Sequence, residues 1–175
     1  MKTIKKVLLV TGSVVAALIF LVVLEASIPE AVPVLSHSTK PIEAQVVTSE
    51  EVEKALNQWR TDQGLPTFKT DNPVLDAAAQ ARADSMCAAN DWSHDKAWQV
   101  LDQYYSYYDA SENLHYNHLQ VGQAEAAIYG WEHSEGHHKT MLADHKEASI
   151  GVKYCPGYQG MDTAVLIVNY FGNPR

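Results

Sequence analysis

Val7 to Leu24 is a run of 18 residues without a charge, and Lys2, Lys5 and Lys6 stand just before it. Its length approaches the roughly 20 apolar residues that a helix needs to cross a bilayer. A cleaved secretory peptide has a shorter apolar core and ends on a small-x-small cleavage site. Cleavage after Ala26 would put Leu24 where a small residue belongs. Residues 1–24 are therefore expected to stay attached as a signal-anchor transmembrane helix, with a cleaved signal peptide as the alternative. Lysines before the run hold that end in the cytoplasm. Under either reading everything from Glu25 on is extracytoplasmic, membrane-anchored or secreted, and the 175-residue chain has room for one soluble domain.

Three of the 13 Lys and Arg and none of the acids precede Glu25, so the exported part sets 10 cations against all 21 Asp and Glu, a formal −11. A surface of that sign repels phosphate backbones and anionic lipid. Nucleic acid is excluded as a partner, and membrane contact is limited to the N-terminal segment. The partner expected is an extracellular ligand or protein of unknown identity. Cys87 and Cys155 meet an oxidising environment there, in which a bridge between them is expected. Two separate buried thiols are the alternative; spacing does not choose, and neither cysteine belongs to a CxxC motif.

Residues 25–47 carry three prolines and little periodicity, which reads as an extracytoplasmic linker. A domain over 48–175 follows. Thr48 and Glu51 make a capping-box pattern, and Val52, Leu56 and Trp59 recur at helical spacing, so a first helix is expected over 49–63. Asn72 before Pro73 starts a second, whose packed face runs through Leu75, Ala78, Ala79, Arg82 and Met86. A third is expected from Ala97 to Tyr108, its last turns crowded by four tyrosines that pack on the core. Ser111 to Asn113 reads as a turn, Leu114 to Tyr116 as a short strand, and 122–135 as a fourth helix. The end alternates into two antiparallel strands, SIGVKYC and TAVLIVNYF, around a loop with two glycines and one proline. Helices first and a strand pair last point to an α+β fold.

Gly130 to Leu142 reads GWEHSEGHHKTML, with His133 and His137 four residues apart. Histidines at that spacing share a helix face and grip zinc, and the metalloprotease pattern HExxH adds a glutamate directly after the first as general base. Ser134 holds that place here. Glu135 lies about 100° further round a helix, and Gly136 tends to end the helix. A zinc protease is not expected. Ser93, Ser111 and Ser134 show no paired base, so no catalytic residue is assigned and no protease activity is expected.

Taken in order, these stretches resemble the CAP superfamily of cysteine-rich secretory, antigen 5 and pathogenesis-related 1 proteins (the SCP domain), in its bacterial-type branch. LNQWRTDQGLPTF is similar to the family's opening helix, with Asn57, Arg60, Gly64 and Leu65 in place, and VLDAAAQARADSM to its alanine-rich second helix. Ser93 and His94 match its S-H, and Ser111, Glu112, Asn113 and Leu114 match G-E-N-I with serine for glycine. Trp131, Ser134, Gly136 and His137 match W-x-x-S-x-G-H, and IGVKY and AVLIVNYFG match the closing strands.

The resemblance runs from Val52 to Gly172 and implies a three-layer α-β-α sandwich around a small antiparallel sheet, with a central cleft. It implies that His94, Glu112 and His137 face the cleft and hold a divalent cation. Ser134 takes a fourth position that is glutamate in the eukaryotic branch. Imidazole and carboxylate together suit Zn²⁺. A metal-free hydrogen-bonded cluster of the same residues is the alternative. His133, His115, His118, His138 and His145 are expected at the surface. The function expected is non-enzymatic binding of a ligand or partner at the cleft, with a metal-dependent hydrolase or a lipid or sterol carrier as alternatives.

Overall fold

The computed structural model describes residues 47–175 except 120 and 121. The expected anchor over 1–24, and all of the linker but Val47, lie outside these residues. Among the described residues no helix is long and apolar enough to cross a membrane.

Helix α1, Ser49–Asp62, starts as its pattern predicts, with Thr48 and Glu51 each accepting from the other's backbone N–H. Val47 before the cap and Val52 in the next turn are buried in one cluster. This pair is the hydrophobic staple that fixes how a chain enters a helix, so Val47 belongs to the domain's core and not to a linker. Near the end of α1, the buried Arg60 guanidinium lies 3.8 Å from the Phe68 ring centroid and donates to the Met141 and Ala143 carbonyls. Helix α2, Pro73–Ala89, has Asn72 as N-cap and ends on Asn90 in the left-handed region, φ 49°. Ala78, Ala79 and Ala83 are wholly buried. The helix lies so close to the sheet that a Cβ on Gly151 would stand 2.2 Å from the Ala79 carbonyl oxygen, which explains both the alanines and the glycine.

The expected third helix is much shorter: α3 is Ala97–Leu101, and β1 begins at Tyr107 and runs to His118. Over the tyrosines the apolar spacing suits either period, and pairing with the last strand decides for extended chain. Tyr105 turns inward and donates to Glu147 at 2.8 Å, whereas Tyr104 and Tyr108 stay exposed. Ser111 to Asn113 is consequently mid-strand and not a turn. The expected fourth helix is two, α4 (Gln123–Glu132) and α5 (Glu135–Leu142), broken at His133 and Ser134. Gly136 sits inside the second of them, at a first turn where a helix tolerates it.

Strands β2 (Glu147–Pro156) and β3 (Thr163–Pro174) complete an antiparallel sheet of order β1-β3-β2. One apolar cluster joins α1, α4 and α5 to one face of the sheet, and a second joins α2 and α3 to the other. This is the α-β-α sandwich, an α+β fold. Cys87 at the end of α2 and Cys155 near the end of β2 are bridged, with 5.7 Å between their Cα atoms.

Candidate functional site

β1 is an edge strand, and its alternation sends Glu112, Leu114 and Tyr116 toward α2 but Ser111, Asn113 and His115 toward α4 and α5. Arg82 of α2 is fully buried. Its Nε donates to Glu112 Oε1 at 2.9 Å, and its Nη2 donates to the Ser93 carbonyl. Glu112 Oε2 lies 2.7 Å from His94 Nδ1. The Arg82 and Glu112 side chains are each 1% exposed and that of His94 55%. The loop that carries His94 is held further by Tyr158, whose hydroxyl donates to the Asp91 carbonyl at 2.7 Å.

His137 comes from α5. Asn113 Nδ2 donates to its backbone carbonyl at 3.1 Å, and the Trp131 indole of α4 donates to the Leu114 carbonyl at 2.9 Å, so β1 fixes both helices. The His94 and His137 ring centroids are 6.3 Å apart. Burial, with the His94 ring adding to it, pulls the His137 imidazole below its usual pKa. The structure therefore brings His94 and Glu112 into direct contact and His137 to the edge of the pair. Ser134 is the N-cap residue of α5, and its side chain makes no capping bond. His133 ends α4 and His137 belongs to α5, so the two do not share a helix face.

Three features escaped the sequence reading. Arg82 stood in the apolar face of α2; a charged residue there demands a buried partner, and that was the available signal. His145 is not at the surface: its side chain is 2% exposed and stacked on Phe171. Ser111 also has an imidazole beside it, with 3.1 Å from its Oγ to His145 Nε2.

The model of the cysteine-rich secretory protein family, CAP, matches residues 53–170. The chain belongs to this family. Among solved structures, an outer surface protein of Borrelia burgdorferi superposes with a TM-score of 0.58 at 16% identity, over 74% of this chain and 97% of that one. A cysteine-rich secretory protein of Staphylococcus aureus gives 0.54 at 19% identity, over 71% of this chain. This CAP chain spans only 38% of the staphylococcal one. Likeness at these identities bears on the fold. Among curated proteins there is no match.

His115 contributes to this CAP domain's acid response. It is not a surface residue either: Nε2 is buried without a hydrogen-bond partner among the described residues, and Nδ1 is 3.3 Å from where a Cβ on Gly130 would stand. Burial first, and the nearby His137 second, push its pKa down to about 4. In the unfolded chain the ring takes its proton near pH 6.5, so between 6.5 and 4 the unfolded state binds the extra proton. Stability from this group is full above 6.5 and is lost as pH falls toward 4, by about 3 kcal/mol. Glu53, raised to about 7 mainly by burial, slopes the other way, its contribution fading as pH rises from its usual 4.5 to about 7. The two oppose each other in wild type. The advantage of wild type over His115→Gln is expected to shrink by about 3 kcal/mol from pH 7 to pH 4 in urea titrations; a constant difference would place the histidine in water.

Proposed function

We propose that this CAP domain lies outside the cell and binds a ligand or protein partner at the cleft marked by His94, Glu112 and His137, by recognition and not by catalysis. The observation that carries the reading is the engagement of Glu112, whose two oxygens are taken by Arg82 and His94. A carboxylate so held serves poorly as a base. A divalent cation fits the cleft in a reduced form. Among the described residues no group of three or more His, Cys, Asp or Glu is arranged to hold a metal ion. Glu112 is 1% exposed with each oxygen already engaged, so its part is to orient His94 through Nδ1, leaving Nε2 for a cation, as second-shell carboxylates do. His94 and His137 would then hold the ion, with water or a partner's group completing it. Two imidazoles favour Zn²⁺ over Ca²⁺, which wants oxygen ligands.

A lipid carrier is the second reading, and a groove of about 700 Å³ between α1 and α4 favours it. Ala55, Trp59, Ala124 and Ile128 line the groove, but so do Glu51, Asp62, Glu125 and Glu132, against Lys54 alone. Those carboxylates repel a fatty-acid head group.

Calorimetric titration of the chain with Zn²⁺ tests the cleft. Binding is expected to be weak, to fall between pH 7.5 and 5.5 as protons compete for the imidazoles, and to drop at least about tenfold in His94→Ala and measurably in Glu112→Gln, as loss of a ligand or its orienting partner does. Equal affinity in His94→Ala and wild type would mean that the ion is held elsewhere and that the cleft reading is wrong.

A further inference from the structure

We propose that Ser111, His145 and Asp109 form an acyl-transfer site for carboxylic esters, with Ser111 as nucleophile. It goes beyond the binding reading and uses none of the side chains His94, Glu112 and His137; Ser111 and Glu112 are consecutive in β1 and leave the strand on opposite faces. Asp109 and Ser111 share one face, and His145, in the segment between α5 and β2, packs over it. Ser111 Oγ is 3.1 Å from His145 Nε2, and His145 Nδ1 is 3.7 Å from Asp109 Oδ2. That Nδ1 is buried and makes no hydrogen bond among the described residues, so Asp109 faces it as a charge partner just beyond hydrogen-bond reach. Nucleophile, base and orienting carboxylate thus stand in the order that activates a serine.

Exposure follows the same order. Ser111 is half-buried, the His145 side chain is 2% exposed, and Asp109 is open at 69%. The base therefore sits behind the nucleophile, with its ring stacked on Phe171 at 5.8 Å. Burial lowers its pKa more than Asp109 raises it, which keeps it neutral and ready to take a proton.

A donor for the developing oxyanion comes from the strand edge. The Leu119 N–H bonds across to Thr163, whereas the Leu114 carbonyl points outward to Trp131. Backbone direction alternates along an antiparallel strand, so the Ser111 amide faces β3 and the Glu112 N–H faces the free edge. The N–H that follows the nucleophile is the position used for this purpose in serine hydrolases.

In the reaction Ser111 Oγ bonds to the ester carbonyl carbon while its proton passes to His145 Nε2. The carbon–alkoxy bond then breaks, and the alcohol leaves with that proton. Water attacks the acyl-serine, gives a proton to the same nitrogen, and the carboxylic acid departs as Ser111 regains its proton.

The experiment incubates the full chain with a fluorophosphonate probe, maps the adduct by peptide mass spectrometry, and measures p-nitrophenyl acetate hydrolysis. The expected result is an adduct on Ser111, no adduct and at least about 100-fold slower turnover in Ser111→Ala, and at least about tenfold slower turnover in Asp109→Asn, whose side chain is 69% exposed and faces the buried His145 alone among the described residues. Thermal unfolding of both variants checks that they fold as wild type does. Failure of the probe to label Ser111, or turnover unchanged in Ser111→Ala, overturns the proposal and leaves the serine as a tie for His145. Neither outcome depends on Zn²⁺ binding, so this site and the cleft stand or fall separately.

Discussion

Arg82→Ala should destabilise the domain by about 3–5 kcal/mol, the range measured when one member of a buried ion pair is removed. Among the described residues its guanidinium is the only cation in contact with Glu112 when His94 is neutral, and both charged side chains are 1% exposed. The same residue also holds the Ser93 carbonyl, so the variant should loosen the loop that presents His94. Replacing both partners together, as Arg82→Met with Glu112→Leu, should recover most of the loss, since no stranded carboxylate remains. Urea midpoints of the three proteins measure the effect. A single-variant loss under about 1 kcal/mol would mean that the pair is solvated and that Glu112 is free to serve as a ligand.

The second large effect is expected from the bridge. Cys87 and Cys155 are separated by 68 residues, and in the chain-entropy model a closed loop of that size limits the unfolded state by about 4 kcal/mol. Reduction, or Cys87→Ala with Cys155→Ala, should lower the unfolding midpoint by about 15 °C for a domain of this size. The loss should concentrate at the end of α2 and, through Asn90 and Gln159, in the hydrogen-bonded contact between the loop after α2 and the loop between β2 and β3. Hydrogen exchange that leaves those segments as protected as before would show that packing alone pins them. With the bridge intact, α2 and β2 are tied at one end by the disulfide and packed along their length at Gly151, which keeps Arg82 at a fixed height over Glu112.

The two tests bear on function from opposite directions. A firm Arg82–Glu112 pair makes the carboxylate a support for His94 and favours recognition at the cleft. A loose pair returns Glu112 to the list of metal ligands that the family resemblance implies.

Local signals in the sequence determined the parts of the fold whose cause is local. The capping box at Thr48 and Glu51, the N-cap at Asn72 and the alternation of the last two strands each depend on residues within a few positions, and each took its expected form. The order of motifs was enough to place the chain in its family and to pick out His94 and Glu112, which do meet. What only the tertiary structure decided are the features whose partner lies far along the chain. Tyr104 to Tyr108 carry apolar spacing that suits helix or strand, and from Tyr107 on β3 settled it by offering hydrogen bonds to the extended form. Arg82 finds its carboxylate 30 residues away and Ser111 its imidazole 34 away. His115 and His145 read as surface histidines because nothing within a turn of them is unusual. Their burial comes with the close approach of Gly130 in one case and the stacked Phe171 ring in the other, and it lowers both pKa values, that of His115 with help from the nearby His137, which no local pattern encodes.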